Sequence, residues 1–188
     1  MKKKIIIIAV VVLAVAALVV GLVTRKKTEN IPVVMQKDAT TGQSIYTNTQ
    51  YGFSVAYSDY WEGPAERIAA KPDTKDSAIN AIFVNAANLE AIVIQGKAGD
   101  KETFNEFAAV LDSYKMVTVG GLPALRYEYV GPVNEEASAY AKTVIYTVKG
   151  LPAGSVSIAY QKLTKTEAQA KAADLTKLNE FVSHVVFK

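Results

Sequence analysis

Cysteine is absent from this 188-residue chain, and histidine and tryptophan occur once each. Without cysteine there is no disulfide, no thiol nucleophile, no cysteine-ligated zinc or iron–sulfur cluster, and no acceptor for a lipid anchor of the bacterial lipoprotein kind. With a single imidazole, His184, a histidine-built metal centre is out of reach, and this residue sits in a short apolar segment where a structural role is expected. No serine lies in a G-x-S-x-G elbow, and neither a phosphate-binding loop nor a G-x-G-x-x-G turn occurs. The catalytic inventory is thin, and we expect no enzyme, no cofactor and no resident metal.

The first 27 positions hold no acidic residue. There Lys2, Lys3 and Lys4 precede 19 apolar or small residues, Ile5 to Val23, and Arg25, Lys26 and Lys27 follow. A helix rising ~1.5 Å per residue would carry such a run across roughly 28 Å, close to the hydrocarbon thickness of a bilayer. Residues 1–27 are therefore expected to be an N-terminal membrane anchor or uncleaved signal. Three basic residues flank each side, so charge alone does not orient it. The globular part is expected on the extracytoplasmic face of the cell membrane.

Setting this segment aside reverses the electrostatics. It holds 6 of the 21 Lys and Arg and none of the 18 Asp and Glu, so residues 28–188 carry 15 basic against 18 acidic groups. A domain with a net charge near −3 and no basic stripe does not fit nucleic-acid binding. Its stability must come from an apolar core, for which its length is ample.

Residues 28–44 are polar, contain Pro32 and Gly42, and read as a linker. From Ile45 the pattern is that of strands. Phe53, Val55 and Tyr57 alternate with Ser54, Ala56 and Ser58, and Tyr60 and Trp61 follow before Gly63-Pro64 breaks the run. Ile79–Ala86 and Leu89–Gln95 suggest a hairpin turning at Ala87-Asn88. Both arms are apolar at adjacent positions, which implies a sheet covered on both faces. Asp100 is placed to cap a helix whose Phe104, Phe107, Ala108 and Leu111 share one face.

Met116–Val119 and Leu122–Val130 flank Gly120-Gly121 as two further strands. Tyr140–Lys149 and the segment holding Val156, Ile158 and Tyr160 flank the turn at Gly150–Gly154. Thr164-x-x-Glu167 has the form of a capping box, and Ala168, Ala172, Leu175, Leu178 and Val182 continue at helical spacing. His184–Phe187 suits a short final strand. Antiparallel strands with segregated helices make an α+β domain over residues 45–188.

Two acidic pairs, Asp73 with Asp76 and Glu135 with Glu136, fall in turns. Each supplies oxygen ligands of the kind Ca²⁺ takes, but Ca²⁺ wants about six to eight and neither pair has an EF-hand frame. Tyr60 and Trp61 are the residues best suited to partner recognition, since aromatics dominate interface hot spots. The competing role for Trp61 is that of a core plug.

The stretch Tyr51-Gly52-Phe53-Ser54-Val55-Ala56-Tyr57 followed by Trp61 resembles the opening of the PsbP-like (Mog1/PsbP) family. So does the glycine turn Gly120-Gly121-Leu122-Pro123-Ala124 with Arg126-Tyr127. Tyr140–Gly150 and Phe181–Phe187 correspond to that family's late hairpin and terminal segment. Ser58 stands where the family commonly has proline, and the histidine metal sites of some photosynthetic members have no counterpart.

The resemblance implies an α/β/α sandwich with a central, mainly antiparallel sheet, here preceded by a single transmembrane helix. Shared fold does not carry shared function. The expectation is a membrane-tethered, non-enzymatic domain that binds a protein partner of the envelope in an accessory or assembly role. The alternatives are a small-molecule or Ca²⁺-binding module and, in a photosynthetic source, an accessory protein of the photosystem II oxygen-evolving complex.

Overall fold

The computed structural model describes residues 34–39, 41–65, 78–105, 114–133 and 139–188. Alternating apolar residues and glycine turns produce eleven strands among them, and every pairing is antiparallel. A four-stranded sheet is built from β1 (Val34–Lys37), β2 (Ser44–Asn48), β3 (Phe53–Tyr57) and β11 (Val185–Phe187), in that spatial order. A seven-stranded sheet contains β4 (Glu62–Ala65), β5 (Ala78–Asn85), β6 (Glu90–Ala98), β7 (Lys115–Val119), β8 (Leu122–Pro132), β9 (Tyr140–Leu151) and β10 (Gly154–Thr164). Its spatial order is β4-β5-β6-β10-β9-β8-β7. Two short helices, α1 (Glu167–Lys171) and α2 (Thr176–Ser183), link β10 to β11.

The core lies between the two sheets. From the large sheet come Phe83, Ile92, Ile94, Val144, Tyr146, Val148, Val156, Ile158 and Tyr160, all of them at period-2 positions on one face. The small sheet contributes Tyr46, Phe53, Val55, Tyr57 and Val185, and α2 inserts Leu178, Phe181 and Val182. Edge-to-face rings knit the layers together: Phe83 meets Tyr57 at 4.9 Å, Tyr46 at 6.0 Å and Phe181 at 4.9 Å between centroids. Such pairs add about 0.5–1.5 kcal/mol each beyond the area they bury. On the opposite face of the large sheet, Ile82, Ala91 and Val93 form a smaller cluster, as the doubly apolar hairpin arms foretell.

These layers correct the expected architecture. The four-stranded sheet covers the face where a helical layer of an α/β/α sandwich was expected, and the described residues are predominantly strand. The physical reason is that Tyr46, Phe53, Val55 and Tyr57 present one continuous apolar face. Only a sheet-to-sheet contact buries such a face along its whole length. The glycine turn and aromatic strand that carry the PsbP-like resemblance serve an antiparallel β layer here. No helix among the described residues is long and apolar enough to cross a membrane, so the expected transmembrane element has no counterpart in them. The apolar run 5–23 lies outside the described residues.

Local expectations fare unevenly. The turn of the first hairpin is a 3-10 turn, Ala86–Asn88, with Asn85 accepting from Asn88 N–H at 3.0 Å and Leu89 at φ 55°. Gly63-Pro64 does not end the chain's extended run but lies in β4, an edge strand, where a missing donor is tolerated. Residues 34–37, within the expected linker, pair with β2.

The single C-terminal helix is two helices. Asp174 Oδ1 accepts from Thr176 N–H and Oγ1–H, at 2.9 and 2.7 Å, and restarts the second. The cap of the first is Thr166, accepting from Gln169 N–H at 3.2 Å, two residues after the Thr164 that the pattern suggested. Phe104 and Asn105 are helical as expected, and residues 106–113, over which the helix was expected to continue, lie outside the described ones.

Candidate functional site

At one end of the sandwich both sheets come to an edge. β7 is the last strand of the large sheet and β11 the last of the small one, and an open groove of about 740 Å³ runs between them. Val117, Val182, Val185 and Val186 line it with apolar surface, and Arg126, Tyr146 and Asn179 bring polar groups from β8, β9 and α2. Val186 is half exposed, as is Met116 on β7.

Local geometry dictates how the main chain faces this groove. Gly120 and Gly121, at φ 58° and 83°, make the two-residue turn that joins Val119 to Leu122. Positive φ at both central positions suits the right-handed twist of a hairpin and is open to glycine without steric cost. The residues flanking such a turn form a hydrogen-bonded pair, so Val117 and Val119 bond to β8 and the main-chain groups of Met116 and Thr118 turn to the outer edge.

On β11 the alternation is set by Lys188 N–H, which donates to Gly52 O at 2.8 Å. Val186 therefore faces β3, and Val185 and Phe187 turn their main chains outward. A side chain at Gly120 would lie 3.0 Å from Val185 O and 3.1 Å from Phe187 N, so the glycine also lets the hairpin tip close against β11.

Arg126 is the electrostatic centre of the groove. Its Nε donates to Tyr146 Oη at 3.2 Å, and an Nη donates to Glu128 Oε2 at 2.8 Å. The guanidinium stands over the Tyr146 ring, 5.7 Å from the centroid. Tyr146 Oη faces Asn179 Oδ1 at 3.5 Å. Burial opposes the Arg126 charge, but the Tyr146 and Glu128 contacts outweigh it and move its pKa above the ordinary guanidinium value. Burial likewise disfavours the Glu128 carboxylate, yet Arg126 and Lys142 hold its pKa below the usual range. Lys142 Nζ lies 3.3 Å from Glu128 Oε1, so one carboxylate answers two cations. The one serine in the groove, Ser183, donates its hydroxyl to Glu180 O at 2.7 Å. The groove thus sets a held guanidinium, a phenol and an amide beside valine surface.

Tyr60 and Trp61 lie elsewhere. Trp61 is 4% exposed and packs edge-to-face on Phe181 at 6.1 Å, inside the core. Tyr60, half-buried beside it, donates its hydroxyl to Glu90 Oε2 at 2.8 Å and accepts from Asn88 Nδ2 at 3.1 Å. Glu90, itself buried, also accepts from Lys162 at 2.7 Å. Burial and this carboxylate push the Tyr60 phenol up to about 12. His184 follows α2, its main-chain N–H donating to Phe181 O at 3.2 Å. Asp73, Asp76, Glu135 and Glu136 lie outside the described residues, among which no group of three or more metal-ligating side chains gathers.

Asp100, expected as a helix cap, instead anchors a buried ionic cluster. Its Oδ2 accepts from Ser155 Oγ at 2.6 Å and from Lys149 Nζ at 2.9 Å, and its Oδ1 accepts from Glu102 N–H at 3.2 Å. Lys149 also reaches Glu102 Oε2 at 2.7 Å. Burial would raise the Asp100 pKa, and these donors together hold it well below the carboxylate range. Through Lys149, Ser155 and Asp100 the cluster ties β9 and β10 to the loop that follows β6, which marks it as structural.

Sequence reasoning missed Arg126, Tyr146 and Asn179 as one site. A signal was present: on β8, Ala124 points into the core and Arg126, two residues on, puts a cation on the same strand face.

The described residues form an antiparallel two-sheet domain with a groove at its edge. No family model matches it, and no curated protein does. A crystal structure at 1.50 Å resolution from Bacteroides thetaiotaomicron VPI-5482 is similar over 77% of this chain, with a TM-score of 0.50 and 13% sequence identity. The likeness covers 48% of that protein, so this chain spans about half its length, and at such identity it is one of fold alone.

Proposed function

We propose that the chain is a non-enzymatic binding domain of the cell envelope that receives a protein partner in an accessory or assembly role. The observation that carries this reading is the groove walled by two sheet edges that are unpaired among the described residues, with valine surface and a held arginine. Open edges invite pairing and are ordinarily blunted or covered. The apolar run Ile5–Val23 between lysine and arginine clusters supports the envelope as its location.

The test is site-specific photocrosslinking in the source cells. A crosslinker replacing Val186 should yield a discrete protein adduct, and one replacing Leu89, exposed on the first hairpin far along the large sheet, should not. Equal labelling at both positions, or none at Val186, refutes the proposal.

A further inference from the structure

Resting on that reading, we infer that the partner enters the groove as an extended segment carrying an acidic side chain, adding a strand to the outer edge of β7 with its carboxylate on Arg126. Three observations point the same way. Among the described residues the main-chain groups of Met116 and Thr118 have no strand beside them, and a peptide in β conformation supplies complementary donors and acceptors at that spacing. Val117 and Val182 offer the alternate side chains of such a strand an apolar wall.

The third observation is charge. Arg126 and Lys142 share one carboxylate, Glu128, and Lys115 stands opposite Arg126 in the β7–β8 register. The site is therefore cationic within a domain whose own balance is acidic. A planar guanidinium whose Nε and one Nη are already directed by Tyr146 and Glu128 is preorganised to take a further oxygen acceptor. The same charge argues against two other occupants. Residues 1–27 contain six cations and no acid, and would be repelled. Two copies pairing β7 to β7 would place two cationic sites along one shared edge.

The experiment is a selection of random nine-residue peptides on the immobilised full chain, repeated on Arg126→Gln. Enriched peptides should alternate apolar residues and carry Asp or Glu at one fixed position. Arg126→Gln should reduce the affinity of a selected peptide at least tenfold, as should replacing its acid by the amide. N-methylation of the peptide's edge-facing amides, which needs no change in the protein, should abolish binding by removing the strand donors.

The inference is overturned if nothing is enriched, if the enriched peptides are neutral or basic, or if the methylated peptide binds as well as its parent. Acetate or succinate competing as strongly as the peptide would also overturn it, since the site would then read a lone carboxylate. A discrete crosslinked partner at Val186 that is indifferent to Arg126→Gln leaves the binding function standing and removes only this account of its chemistry.

Discussion

Gly96 offers a sharp test of how the two sheets are joined. It sits on the core face of β6, opposite Val156 of β10, and a Cβ at that position would overlap the ring of Tyr51. Tyr51 has little room to retreat: it is 4% exposed, and its N–H is held by Asn48 Oδ1 at 3.0 Å. Gly96→Ala therefore overpacks the core, which costs about 1–3 kcal/mol, while ending the entropic penalty of glycine in a strand returns about 0.5–1 kcal/mol. The net expectation is a loss of roughly 1–2 kcal/mol.

The same substitution should change sign in a second background. Tyr51→Ala alone should cost about 3–5 kcal/mol, by analogy with other large aromatic truncations. With the ring gone, Gly96→Ala is left with only its conformational benefit and should be neutral or stabilising by up to about 1 kcal/mol. The coupling between the two sites is then about 2 kcal/mol, within the range for residues in direct contact. Urea unfolding followed by the fluorescence of Trp61, the sole and buried tryptophan, reads all four corners of the cycle. An equal cost of Gly96→Ala in both backgrounds would refute the packing argument.

The ionic cluster and the Tyr60 network give further expectations. Because the folded Asp100 pKa lies below its ordinary value of 3.8, its contribution is fully present above that value and is lost as pH falls through the folded one. Asp100→Asn should thus flatten the acid limb of stability against pH, and a limb as steep as that of the unmodified chain would contradict the assignment. Lys149→Met leaves Asp100 and Glu102 without their shared buried cation and should cost about 3–5 kcal/mol in urea unfolding. Tyr60→Phe removes one donor from the buried Glu90 and should cost about 1–3 kcal/mol in urea unfolding. A cost indistinguishable from zero would show that this hydrogen bond contributes nothing net to stability.

Period-2 alternation at Phe53, Val55 and Tyr57, and glycine turns at 120–121 and 150–154, make the strands and hairpins legible without coordinates. These signals are local: a residue's neighbours two positions away, or a backbone conformation that glycine readily takes. The end of the first C-terminal helix was harder to read, because the Asp174 side chain bonds to Thr176 and breaks a spacing that looks continuous from Ala168 to Val182.

Composition and pattern alone determined that the chain has no cysteine chemistry, a lone histidine, an acidic globular part and an antiparallel strand set. They could not determine what covers the strands. Alternation states which face is apolar and is silent on whether a helix or a second sheet lies against it, so the α/β/α sandwich and the two-sheet arrangement share one sequence signature. The groove belongs to tertiary structure for the same reason. Arg126, Tyr146 and Asn179 come from three elements, and Val185 O comes to face Gly120 only because β11 returns to pair with β3 at the end of the chain.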